Sequence, residues 1–165
     1  MDLGGGIVAR IKTSFTREID DYLQTLNRLG AEMEGIAKQA IFEGAKIIAD
    51  QVKRNIEALP TDEEWGTTAQ KKRGPSREEK TQIKNGLGIA RMKSEQGVIN
   101  TKIGYEDAGY NEKGKAIQMI ARSVNSGTSF MRRNPFFTSA VRQSSDRAKQ
   151  KMIEVAEKKL EEITK

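Results

Sequence analysis

The chain has 165 residues, carries a net charge of +6, and contains neither cysteine nor histidine. Its length predicts one domain over residues 1–165, and its aromatic fraction of 5% predicts a core built mainly from aliphatic helix faces. Without cysteine and histidine, disulfide bonds, thiol nucleophiles, the usual general base and the commonest metal ligand are excluded, so we predict no catalytic residue, no metal site and no cofactor.

The first third of the sequence predicts a strand followed by two helices. Residues 6–15 alternate between apolar and polar side chains, as in a short β-strand. Helical spacing of apolar residues then runs through residues 16–29 and again through residues 31–56, until Pro60 ends it. The second of these helices is predicted to be about 42 Å long at 1.5 Å per residue, so it spans the whole body of such a domain.

A long loop is predicted for residues 61–86, which show neither a helical nor a strand period. Connections of this length inside a small domain are usually functional or disordered. Residues 71–93 contain eight basic and two acidic side chains, so this segment alone carries the whole net charge of +6. The side chains of this basic loop that are candidates to face DNA are Lys71, Lys72, Arg73, Arg77, Lys80 and Lys84.

A β-hairpin is predicted next. Residues 87–93 and 98–105 are two extended segments separated by a short polar turn. The second segment has one apolar face, which must pack on a helix for so small a sheet to persist. Residues 115–125 then have the apolar spacing of a short helix.

The loop over residues 126–137 has definite local chemistry. Gly127 permits a positive φ, Asn134 is suited to cap a helix, and Pro135 suits the first helical position, where its missing N–H is not needed. From Phe136 onward, apolar residues recur at spacings of three and four and predict a long C-terminal helix. The predicted fold class is therefore α+β, with long helices packed on a small antiparallel sheet made of the hairpin and the N-terminal strand.

Two function classes are open from the residues alone. One is an enzyme whose site is built from carboxylates and lysines, although the acidic residues are scattered among basic ones along helical faces. The other is a basic nucleic-acid-binding protein acting through residues 71–93, whose lysines and arginines would contact phosphates. That segment lacks aromatic residues for base stacking, and Trp65 is the nearest one.

Several small, proline and aromatic residues follow one another in a definite order along the chain. They are Ala40, Ala45 and Pro60 in the long helix and at its end, Gly127 and Thr128 in the last loop, and Pro135, Phe136 and Ala140 around the start of the final helix. Together with the order of the predicted elements, they resemble the tail-component family of tailed phages, whose members are neck proteins that join the head to the tail. The resemblance covers nearly the whole chain.

This resemblance implies a structural virion protein of the neck, without enzymatic activity, in a tail-completion or collar role. It implies a homo-oligomeric ring of six copies, or of twelve, that connects the head-side adaptor at the portal to the tail terminator and tube. The ring would belong to a virion or a phage-like particle assembled in the host cytoplasm.

Further expectations concern the contacts of this ring. A basic loop in its lumen would make non-specific contact with DNA, and no membrane partner is expected because no apolar run approaches the ~20 residues of a membrane span. Interface candidates in the last loop are Ser126, Gly127, Thr128, Arg132, Arg133, Pro135 and Phe136.

Overall fold

The computed structural model describes residues 8–10, 31–95 and 98–164, and these form an α+β fold. In chain order, its elements are β1 (Val8–Arg10), α1 (Ala31–Glu57), α2 (Arg77–Gly86), β2 (Gly88–Ile89), β3 (Lys93–Glu95), β4 (Val98–Asn100), β5 (Lys102–Gly104), α3 (Ile117–Ser126) and α4 (Phe136–Thr164). Their buried apolar side chains form one hydrophobic core. The predicted fold class is confirmed, while the helix predicted over residues 16–29 lies outside the described residues.

Two long helices, α1 with 27 residues and α4 with 29, form the centre of the fold, as predicted. They run antiparallel, because Gly44 lies against Met152 whereas Asn55, further along α1, donates a hydrogen bond to the Phe136 carbonyl at 3.0 Å. A Cβ on Gly44 would lie 2.7 Å from Met152 Cγ, so the helices approach closely here. Both helices contain small residues that are completely buried: Ala37, Ala40 and Ala45 in α1, and Ala140, Ala148 and Ala156 in α4.

The predicted hairpin and N-terminal strand together form the sheet, which packs on α1. Strand β5 lies between β1 and β2 and is antiparallel to both, with Ile103 paired to Ala9 on one side and to Ile89 on the other. Strands β3 and β4 continue the hairpin as a second ladder, in which Lys93 pairs with Asn100. Between the two ladders, three residues of one segment face two of the other, so the hairpin contains a β-bulge.

The predicted loop over residues 61–86 is wrong in its last part, because residues 77–86 form helix α2. Ser76 Oγ accepts a hydrogen bond from the Glu79 N–H, and Glu79 Oε1 accepts one from the Ser76 N–H. This reciprocal pair is a capping box, which satisfies two otherwise unpaired amides at the helix start. Only Ile83 of α2 is buried. The helix therefore has too few apolar residues for their spacing to predict it from the sequence.

The start of α4 also differs from the prediction in its capping residue. Asn125, a buried residue near the end of α3, accepts hydrogen bonds through Oδ1 from the N–H groups of Phe137 at 3.0 Å and Thr138 at 3.3 Å. Asn134, the predicted cap, instead donates its side-chain amide to the carbonyls of Arg73 and Arg132. The cap of α4 therefore comes from the preceding helix, and Asn134 is free to join two loops.

Candidate interface surface

Two loops that are distant in sequence meet at one end of the fold. The Lys72 N–H donates to the Phe130 carbonyl at 2.9 Å, and the Arg132 N–H donates to the Lys72 carbonyl at 2.9 Å. Lys72 and Met131 thereby form a short parallel β-bridge. We call residues 61–76 and 127–134 together the two-loop surface. It joins part of the predicted basic loop to most of the predicted interface loop.

Small residues allow the two loops to approach this closely. A Cβ on Gly66 would lie 1.8 Å from the Phe130 carbonyl oxygen and 2.8 Å from the Lys72 nitrogen. Gly127 has a φ of 78°, as predicted, which a residue with a side chain rarely adopts. Thr128 Oγ1 then accepts hydrogen bonds from the N–H groups of Phe130 and Met131, which fixes the turn that carries Phe130.

Two carboxylates brace the first loop from within. The carboxylate of Asp62 accepts hydrogen bonds from the N–H groups of Arg73 at 3.0 Å and Glu64 at 3.1 Å. These two bonds, the one from Arg73 first, hold the pKa of Asp62 below its usual value. Glu63 Oε1 accepts from the Arg77 N–H at 2.8 Å and so ties the loop to the start of α2. The first loop is therefore an ordered platform with its own hydrogen-bond frame.

Two aromatic side chains, one from each loop, project from the two-loop surface into solvent. Trp65 is 97% exposed and Phe130 is 57% exposed, although the backbone beside each of them takes part in the contact between the loops. Tryptophan and other aromatic residues are enriched among the residues that dominate binding at protein interfaces. Neither side chain is among the site residues predicted from the sequence. The sequence signal that could have identified them is an aromatic residue in a polar loop, next to glycine or close to a turn residue.

The basic candidates are divided between two places. Lys71, Arg73, Arg132 and Arg133 are exposed on the two-loop surface, where Lys72 is half-buried, and Arg77 is exposed at the adjoining start of α2. Lys80 and Lys84 belong to α2 and contact the end of α1 instead: Lys80 Nζ donates to the carbonyls of Glu57 and Leu59, and Lys84 pairs with the Glu57 carboxylate. Lys80 and Lys84 therefore do not belong to a basic loop, contrary to the prediction.

The remaining interface candidates also separate by exposure. Ser126 and Thr128 are exposed and Pro135 is half-buried. Phe136 is only 4% exposed and packs edge-to-face against Phe137 at a ring-centre distance of 6.4 Å. Phe136 therefore anchors the loop in the core, and its side chain is not part of the protomer surface.

A concave feature lies at the other end of α2. It is a depression of about 200 Å³, open to solvent, between the end of α2 and the edge of the sheet. Glu106 and Asp107 are exposed at its rim, where Glu106 forms an ion pair with Lys102 at 3.7 Å. The residues that line it are Gly86, Gly88, Ile89, Ala90, Lys102, Gly104, Glu106 and Asp107. We call it the glycine-lined depression.

Two other kinds of site are absent from the part of the chain that the structure describes. Among these residues, no group of three or more acidic side chains is placed to hold a metal ion. No helix within residues 31–95 and 98–164 is long and apolar enough to cross a membrane. Comparison with known proteins gave no match to a family model, to a curated protein or to a solved structure.

Proposed function

We propose that this protein is a structural component of a phage neck, forming a ring that connects the head-side adaptor to the tail tube. The observation that carries the proposal is the two-loop surface, in which a hydrogen-bonded frame holds Trp65 and Phe130 in solvent beside Arg132 and Arg133. Aromatic and arginine side chains are the residues most often found at the energetic centre of protein interfaces. The resemblance of the sequence to phage tail-component proteins supports the same assignment.

The exposed aromatics supply a physical reason for assembly. Complete burial of a side chain such as Phe stabilises a contact by about 1.5–3 kcal/mol, so two aromatics per interface contribute several kcal/mol. The frame around them keeps the cost of ordering the loops on binding low. In a ring, each protomer presents one surface to a different surface of its neighbour. Each copy therefore buries its two aromatic side chains in one interface, and each interface is stabilised by that burial.

The ring can be tested on the purified protein, alone and mixed with its adaptor and tail proteins. Mass photometry and negative-stain electron microscopy are expected to show rings of six or twelve copies. Trp65→Ala should reduce the ring fraction at least tenfold, because about 1.4 kcal/mol of lost burial changes an association constant tenfold. Trp65→Phe should keep most of it. Thr68→Ala, in the same exposed loop, is the matched control and should assemble normally.

Deleting the gene and examining the particles that form tests the neck assignment directly. Heads and tails made without the protein should accumulate separately, and the wild-type gene supplied in trans should restore joining. Particles that lack the protein and still join and mature normally would rule out the neck assignment.

Nucleic acid binding is a second candidate, because the two-loop surface combines cations with aromatic side chains. It contains Lys71, Lys72 and Arg73 beside Trp65 and Phe130, and proteins that bind single strands use this combination for phosphate contacts and base stacking. A shift of single-stranded DNA at low salt, lost when the three cations are replaced by glutamine, would support this function. If the mobility of the DNA at low salt is unchanged by the protein, nucleic acid binding is ruled out as its function.

A further inference from the structure

The two-loop surface carries a projecting aromatic side chain, and the glycine-lined depression is a hollow of similar size. The depression has a volume of about 200 Å³, and an apolar cavity of about 150 Å³ is already large enough to hold benzene. Trp65 does not fill the depression of its own chain, because it is 97% exposed. One surface is thus a projecting aromatic side chain, and the other is a hollow of a size suited to an aromatic ring.

The charges of the two features are also complementary. The two-loop surface contains five basic residues and three acidic ones, and two of those acids, Asp62 and Glu63, accept backbone hydrogen bonds from Arg73 and Arg77. The charged residues that line the depression are Glu106, Asp107 and Lys102, and Lys102 pairs with Glu106, so the lining carries a net charge of −1. Contact between the two features would place Arg132 and Arg133 near carboxylates, which favours correct docking and opposes contact between two basic surfaces.

The two features are separate patches of the protomer. The two-loop surface adjoins the start of α2 at Arg77, and the depression begins at its end with Gly86. A helix of 10 residues separates them by about 15 Å at 1.5 Å per residue. Interfaces that join different patches are heterologous, and they produce rings when the rotation between neighbours closes.

From these observations we infer that Trp65 of one copy inserts into the glycine-lined depression of the next copy. Phe130 covers the edge of the contact, and Arg132 and Arg133 face Glu106 and Asp107 of the neighbour. The occupant of the depression is therefore a second copy of this chain. This inference rests on the proposed ring and specifies which two surfaces form it.

Mixing two defective variants tests the pairing of surfaces. Trp65→Ala removes the projecting side chain, whereas Gly88→Phe fills the hollow at a glycine whose Cβ would meet no described atom within 4 Å. Each variant alone should be monomeric. An equimolar mixture retains one intact pair of surfaces, so it should give heterodimers and no rings. Asn85→Phe, which adds the same ring at an exposed position of α2 outside the lining, should assemble like the wild type.

Charge reversal provides a second, independent test of the pairing between the two surfaces. Arg132→Glu with Arg133→Glu should weaken ring formation at least tenfold, and so should Asp107→Arg, which leaves the ion pair between Lys102 and Glu106 in place. Combining the two sets in one chain should restore at least half of the wild-type ring fraction. Unchanged thermal unfolding of each variant confirms that the protomer is folded.

The possible failures are distinguishable. If the wild type forms rings and Gly88→Phe forms them equally well, the depression is not the acceptor, and the inference fails while the proposed ring stands. If the two defective variants do not pair on mixing although the wild type forms rings, the inference also fails. If the wild type forms no ring even with its adaptor and tail proteins, both the proposed function and the inference that rests on it are wrong.

Discussion

Tyr105, which directly follows strand β5, combines nearly complete burial with an unsatisfied polar group. The side chain is 1% exposed, and its hydroxyl has no hydrogen-bond partner within the described part of the chain. A buried hydroxyl left unpaired costs about 1–3 kcal/mol, whereas the ring itself stabilises the core. Burial also raises the pKa of Tyr105 above its ordinary value, because the charged phenolate is poorly solvated there.

Replacing this hydroxyl by hydrogen should not destabilise the protein. Tyr105→Phe keeps the ring and removes the unpaired group, so the free energy of unfolding should stay the same or rise by up to about 2 kcal/mol. Urea unfolding at pH 7 measures the change, and Tyr105→Ala, which removes the ring, should cost about 3–5 kcal/mol in the same assay. A loss of more than about 1 kcal/mol in Tyr105→Phe would mean that the hydroxyl has a partner.

The same residue makes stability depend on pH in the alkaline range. The pKa of Tyr105 is higher in the folded state than the ordinary value of 10.0 that applies when the chain unfolds. The unfolded state therefore loses its proton first, and stability falls as the pH rises above about 10. Tyr105→Phe lacks this contribution, so its unfolding midpoint in urea should decline less than that of the wild type between pH 9 and about 11.

At the scale of elements, apolar spacing predicts α1 and α4 because each contributes many buried residues to the core, and it predicts the hairpin from the alternation that buries Ile99 and Ile103. Helix α2 was not predicted, since Ile83 is its only buried side chain. Its Ser76 and Glu79 pair was visible in the sequence as a capping box and would have located the helix start. The cap of α4 could not be predicted from local sequence, because it depends on how α3 packs beside it.

Because Asn125 and not Asn134 caps α4, substitutions of the two asparagines should have different effects. Asn125→Ala should destabilise the protein by about 1–2 kcal/mol, because it leaves the N–H groups of Phe137 and Thr138 without their acceptor. Asn125→Asp keeps an acceptor oxygen at this position and should lose less. Chemical unfolding of the three proteins measures these differences.

Asn134→Ala is the matched comparison at the position where local sequence predicts the cap. Its side chain donates to the Arg73 and Arg132 carbonyls, so the substitution should leave α4 intact and loosen the contact between the loops. Greater fraying of the first turn of α4 in Asn134→Ala than in Asn125→Ala, seen by amide exchange, would contradict this assignment.

At the scale of the whole molecule, the candidate site depends on a contact between loops that lie about sixty residues apart in sequence. The sequence indicates the exposed cations and the conformation of Gly127, because these follow from composition and local backbone preference. It does not indicate that Lys72 pairs with Met131, nor that Lys80 and Lys84 bind the end of α1. Such pairings follow from the packing of α2 and α3, which no local pattern encodes.

Gly66 therefore provides a test of the two-loop surface as one unit. In Gly66→Ala the new Cβ would lie 1.8 Å from the Phe130 carbonyl oxygen, so the loops must separate, at an expected cost of about 1–3 kcal/mol. Amide exchange of Lys72 and Arg132, whose N–H groups donate across the loops, should accelerate while the helical circular dichroism stays unchanged. Ring formation should fall with it.

The matched control for Gly66→Ala is Gly35→Ala in α1, where the new Cβ meets no described atom within 4 Å. This substitution should be neutral or stabilise the protein by about 0.5–1 kcal/mol, since alanine is the better helix former. If Gly66→Ala accelerates exchange at Lys72 and Arg132 but leaves the rings intact, the paired loops serve the fold of the protomer, and the interface lies elsewhere. If exchange and assembly change together, the contact between the loops is what holds Trp65 and Phe130 in position for a neighbour.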